Sequence, residues 1–129
     1  MNTELRIGNW VNFTYKHKGE YLSRPCKVIG LDDAGQILVK DKGHTLELRG
    51  EAKPVELTPE ILEKAGFEKK GEGYRFGTDL YLSSWQDCIW LLTKYSGIDI
   101  SPEMPLITSL HQLQNLYFAL TGTELTVNP

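Results

Sequence analysis

Val11, Phe13 and Tyr15 alternate with Asn12 and Thr14 near the start of the chain, the period of a strand with one buried face. Lys16-His17-Lys18-Gly19 follows as a polar tip. Tyr21 to Leu31 gives a second extended run, with Cys26 and Val28 on one face. Pro25 has no N–H for a ladder bond, which makes the first half of that run an edge or entry segment. Asp32-Asp33-Ala34-Gly35 has the composition of a turn. Ile37 and Val39 then alternate with Leu38 and Lys40, Lys42-Gly43 turns the chain again, and Leu46 and Leu48 form another alternating pair. Four or five short strands within about 50 residues predict a small antiparallel SH3-like β-barrel.

The pattern then changes. Glu51 to Glu56 reads as a polar connector containing Pro54. Thr58 is a good N-cap, and Pro59 fits the first helical position, where a missing N–H costs nothing. Leu57 and Leu62 occupy the positions of a hydrophobic staple. Gly66 suits a left-handed cap, with Phe67 packing back on the last turn, so the spacing predicts a helix over 59–65. Lys69 to Gly73 reads as a charged turn, and Tyr74-Arg75-Phe76, Gly77-Thr78-Asp79 and Leu80-Tyr81-Leu82 as strand, turn and strand. In the segment from Trp85 to Tyr95, Trp85, Cys88, Ile89 and Leu92 have helical spacing. Ile89, Leu91, Thr93 and Tyr95 alternate instead, and the β-favouring composition tips the segment towards a strand.

Gly97 to Pro105 is expected to be a loop. Ser109 and Gln112 match a capping box, and Leu110, Leu113, Leu116, Tyr117 and Leu120 make one apolar stripe that Gly122 closes. A helix over 110–121 follows, then an extended tail from Thr123 to Val127. The expected class is α+β: a β-rich module over 1–56, then a module over 57–129 with a small antiparallel sheet covered by the last helix.

Composition refines this little. The 129 residues are 40% apolar and 24% charged, as in an ordinary globular protein. The net charge of −3 divides into +2 over residues 1–50 and −5 over 51–129. A basic excess that small makes nucleic acid an unexpected partner. Cys26 and Cys88 form no C-x-x-C pair and no disulfide framework. The N-terminus does not have the pattern of a signal peptide, and the longest apolar run, Ile89-Trp90-Leu91-Leu92, is far short of a membrane span. A cytoplasmic location is expected.

Candidate chemistry is sparse. Phosphate-cradling glycine loops and a G-x-S-x-G elbow do not occur. His17, His44 and His111 are scattered without metal-ligand spacing, so no metal and no cofactor are expected. Asp32 and Asp33 fit a turn, and each cysteine fits a small core residue. Catalysis is therefore not the expected activity. Two groups remain as binding candidates. The first is basic and aromatic: Arg6, Trp10, Tyr15, Lys16, His17, Lys18, Arg24, Lys40 and Lys42. Aromatic faces beside cations stack a base and neutralise phosphate. The alternative is that Trp10 and Tyr15 are core and the lysines blunt sheet edges. The second is the polar side of the last helix, with His111, Gln112, Gln114 and Asn115. These residues hold a ligand, satisfy buried backbone at an interface, or simply face solvent. Phe118 among them points to packing against a second surface.

Three blocks carry a resemblance: Leu5-Arg6-Ile7-Gly8-Asn9-Trp10-Val11; Leu57-Thr58-Pro59-Glu60-Ile61-Leu62 with Gly66-Phe67; and Leu110 to Gly122 with Glu124-Leu125. Together they resemble a family of small uncharacterised proteins of Bacteroidetes-type bacteria and their phages. The resemblance implies a small protein of a phage or mobile element and carries over no catalytic residue. With the basic–aromatic set, it leads to the expectation of a non-catalytic protein that sequesters a small anionic ligand, such as a signalling nucleotide of host defence. The alternative is a protein-interaction adaptor or inhibitor module that binds a host protein. Either is expected to be a homo-oligomer without a membrane partner.

Overall fold

The computed structural model describes residues 5–31, 37–41, 47–50, 52–77, 80–96, 98–99, 106–127 and 129, with the backbone alone for His17, Asp41, Glu47–Gly50 and Asp99. The turns expected at Asp32–Gly35 and Lys42-Gly43, the position of Leu46 and most of the 97–105 loop lie outside these residues.

The first module is an antiparallel sheet of β1 (Trp10–His17), β2 (Glu20–Leu31), β3 (Ile37–Asp41), β4 (Glu47–Gly50) and β5 (Lys53–Pro54). Lys18 and Gly19 join β1 to β2 with φ of 53° and 84°. Two positive φ values give the turn whose twist matches that of the flanking strands. Val11, Phe13 and Tyr15 point inward and pack with Leu5, Cys26, Val28, Ile37 and Val39 as one core. The N–H of Val28 donates to the Asn9 carbonyl, so by alternation the Pro25 nitrogen faces the opposite side. There β2 has no described partner, because β3 pairs with it only from Cys26 onward. The strand order is β4-β3-β2-β1-β5, which leaves β4 and β5 as edges and the sheet open.

The connector expected over 51–56 is instead partly strand. Lys53 and Pro54 pair with Asn12 and Val11, and Val55 is buried. β1 presents a second edge that accepts a partner, and Val55 and Leu57 alternate with Glu56, a period that the charges and proline obscure.

α1 (Pro59–Lys64) begins at Thr58, whose side chain accepts from the Ile61 N–H. It ends in a Schellman motif. Phe67 N–H donates to the Leu62 carbonyl at 3.0 Å and Gly66 N–H to that of Glu63 at 3.1 Å, with Gly66 at φ 98°. Leu57 and Leu62 are fully buried.

A second antiparallel sheet follows in the order β10-β9-β8-β7-β6, from β6 (Glu68–Lys70), β7 (Gly73–Phe76), β8 (Leu80–Gln86), β9 (Ile89–Tyr95) and β10 (Ile98–Asp99). The turn expected over 69–73 shrinks to Gly71 and Glu72. Trp85 to Tyr95 is a hairpin rather than one strand, with Trp85 and Gln86 closing β8 and Cys88 in the turn at φ 58°.

α2 (Leu110–Thr121) lies over this sheet. Ser109 accepts from the Gln112 N–H, but the Gln112 side chain caps the Thr108 N–H at 2.8 Å rather than that of Ser109, where the chain runs antiparallel to Glu56. Leu110 and Leu113 enter a core with Leu57, Leu62, Phe67, Leu82, Trp90 and Leu92, and the tail adds Leu125 and Val127. Trp90 ties the layers together, its indole N–H donating to the Leu57 carbonyl at 2.7 Å. Among the described residues, no helix is long and apolar enough to cross a membrane.

Candidate functional site

The β1–β2 register sorts the basic–aromatic group onto two faces. Residues directly opposite share a face. Tyr15 is buried in the first core, and Arg24 stands opposite Phe13 on that inner side. Trp10 and Lys16 point outward, with Lys27 and Tyr21 as their partners. Lys40 of β3 is the next residue beyond Lys27 in the same cross-strand row. Lys18 is exposed at the hairpin tip, where its backbone conformation is what the turn uses. The side chain of His17, and all of His44 and Lys42, lie outside the described residues.

The polar side of α2 meets the segment before β1. The Gln114 carboxamide is buried and bonds twice, accepting from Trp10 N–H at 2.8 Å and donating to the Gly8 carbonyl at 3.1 Å. Asn115 Oδ1 accepts from Arg6 Nε at 2.7 Å and from Asn9 Nδ2 at 3.0 Å. Arg6 Nη1 lies 2.6 Å from Glu124 Oε1, and its guanidinium covers the Phe118 ring at 4.6 Å. That ion pair is partly exposed and adds little stability alone. The buried amide bonds fix the helix against the first sheet. Arg6, Gln114 and Asn115 are thus engaged with one another across the two modules, and Gln112 is engaged in its cap.

This clamp shapes a recess of about 260 Å³. Gly8, Trp10 and Lys27 form one wall, and Gln114, Glu124 and Thr126 belong to the other. The Arg6 guanidinium matches the Glu124 carboxylate, so Lys27 and its neighbour Lys40 add positive charge beyond that pair. Trp10 is half-buried and packs against the second core, which holds its ring in place at the lip. An aromatic ring and an exposed ammonium side by side suit a planar anion.

The described residues offer little for covalent chemistry. Cys26 is buried in the first core. Desolvation, with a hydrogen bond from the thiol to the Glu56 carboxylate and the charges of Glu56, Asp87 and Glu60, pushes the Cys88 thiol up to about 11. That keeps it protonated and a poor nucleophile near neutrality. Ser109 Oγ and His111 Nδ1 are 3.3 Å apart, but both residues are buried and Ser109 caps the helix, so the pair has no access to a substrate.

Asn9, Lys27 and Glu124 are absent from the sequence-based site. Lys27 becomes visible only once the β1–β2 register sets it opposite Trp10. Comparison of the chain with protein-family models, curated proteins and solved structures gives no match in any of the three.

Proposed function

We propose that this protein is a non-catalytic binder of a small planar anion, of the nucleotide class, at the Trp10–Lys27 recess. The observation that carries this reading is the pairing of a held indole with an exposed ammonium at the mouth of a recess of about 260 Å³. The base stacks on Trp10, and the phosphate lies against Lys27 and Lys40. The strand order and the 12-residue β2 support reading the first module as an SH3-like barrel, with the ligand on its outer face. The resemblance of the three sequence blocks to bacterial and phage proteins supplies the context in which the ligand is a signalling nucleotide of host defence, held rather than converted. Exposed Trp85 and Ile98 do not favour the adaptor reading, since they stand towards opposite ends of the second sheet.

Isothermal titration calorimetry with ATP tests this. Micromolar binding that Lys27→Gln weakens about tenfold is expected, the worth of one charged hydrogen bond. An absence of heat at millimolar ATP overturns the reading.

A further inference from the structure

The recess lies at one end of a longer surface. On the outer face of the first sheet, four cross-strand rows follow one another: Trp10 with Lys27 and Lys40, Asn12 with Lys53 and Pro25, Thr14 with Ser23, and Lys16 with Tyr21. Lys16, Lys27, Lys40 and Lys53 are all exposed. Among the described residues, the acidic residue in register with these rows is Glu47 of β4, paired with Lys40 at the outer end. Tyr21 is 76% exposed, too open for a core role, and Lys16 Nζ lies 5.9 Å from its ring centroid. The hydroxyls of Thr14 and Ser23 fall between the two aromatic ends.

We infer that this face is a track for single-stranded nucleic acid, with one nucleotide in the recess and those that follow laid along β1 and β2 towards Tyr21. The inference rests on the proposed recess and names the class of its ligand. Single-strand sites combine a cationic path for the backbone with aromatic rings on which bases stack, and they need no sequence readout. Six residue steps along β1 take Trp10 to Lys16, a run of about 20 Å. That length takes roughly four nucleotides, the low end for a small β-module. The weak basic balance of residues 1–50 hides this surface, because a net charge counts every residue alike while the β1–β2–β3–β5 register gathers Lys16, Lys27, Lys40 and Lys53 on one face.

Fluorescence anisotropy of a short fluorescein-labelled oligothymidylate, with unlabelled ATP titrated separately by calorimetry, tests the inference. The oligonucleotide is expected to bind more tightly than ATP, with log affinity falling about two to three units per tenfold rise in salt as four lysine–phosphate contacts form. Tyr21→Ala and Lys16→Gln are each expected to weaken the oligonucleotide about tenfold and leave ATP unchanged. Lys27→Gln is expected to weaken both probes. Both end variants change exposed side chains, and an unchanged circular dichroism melt verifies their fold. ATP binding with no tighter oligonucleotide binding, or with no effect of Tyr21→Ala and Lys16→Gln, overturns the strand inference and leaves the small-anion reading standing. Failure of both probes overturns both. Salt-sensitive self-association that these variants abolish also overturns it, and assigns the face to the acidic module of a second copy.

Discussion

Replacing Gln114 with methionine keeps the length of the side chain and removes both halves of its carboxamide. Gln114 is 1% exposed, accepts from Trp10 N–H at 2.8 Å and donates to the Gly8 carbonyl at 3.1 Å. Methionine fills nearly the same space, so packing changes little. The two backbone groups lose their partner within the clamp between the modules. Each such loss costs about 1–3 kcal/mol. Both groups border the recess, so water reaches them in part, and the expected total is the lower portion of the range, about 2–4 kcal/mol. For a chain of this length that lowers Tm by roughly 8–15 °C. Thermal melts followed by circular dichroism at 222 nm measure it. Gln112→Met is the comparison, since that side chain caps only Thr108 at an exposed site, and it should cost about 1 kcal/mol or less. A Gln114→Met shift under about 3 °C, or one no larger than that of Gln112→Met, refutes the view that α2 is fixed to the first sheet through this amide.

Gly73→Ala drives a Cβ into the Leu82 carbonyl oxygen and should destabilise the protein by about 3 kcal/mol or more, read from urea unfolding. Lys18→Asn should stabilise it by about 0.5–1 kcal/mol in the same assay, because Lys18 holds φ at 53° beside Gly19 and asparagine tolerates that region better. Cys88 should react with iodoacetamide at pH 8 at least about tenfold more slowly than in the urea-unfolded chain, as peptide mass mapping would show, because burial and Glu56 hold its thiol up to about 11. The same shift has a definite sign for stability. The folded state holds this proton more tightly than the unfolded chain, so the contribution is full below about pH 9 and is lost as pH rises through about 11. Cys88→Ser should flatten that part of the pH–stability curve.

The helices were legible because their signals are local. Thr58-Pro59 and Gly66-Phe67 mark both ends of α1 within a few residues, and Ser109 and Gly122 do the same for α2. β1 and β2 were legible from their period, since one face is core along their length. β5 and β6 were not. Lys53 and Pro54, and Glu68 to Lys70, are short exposed edge segments with no apolar face to reveal them. They are strands only because a distant strand accepts their backbone. The hairpin between β8 and β9 was hidden for a related reason, since its tip uses Cys88 at φ 58° in place of an asparagine–glycine pair.

The candidate site divides along the same line. Alternation alone puts Tyr15 with Val11 and Phe13 in the core, so its loss from the binding set was readable. The departure of Arg24 to the inner face and the arrival of Lys27 beside Trp10 depend on the pairing register. The clamp was less readable still. Asn115 and Gln114 had the right chemistry, but nothing near them in sequence names Arg6, Gly8 or Trp10 as partners.

The most direct test of the binding account is a nuclear magnetic resonance titration of the nitrogen-15-labelled protein with ATP. The account predicts shifts concentrated at the backbone amides of Gly8, Trp10, Lys27 and Thr126 and at the Gln114 side-chain amide, with Trp85 and its hairpin unmoved. Saturating ATP that leaves those signals in place, or that moves the Trp85 hairpin instead, contradicts it.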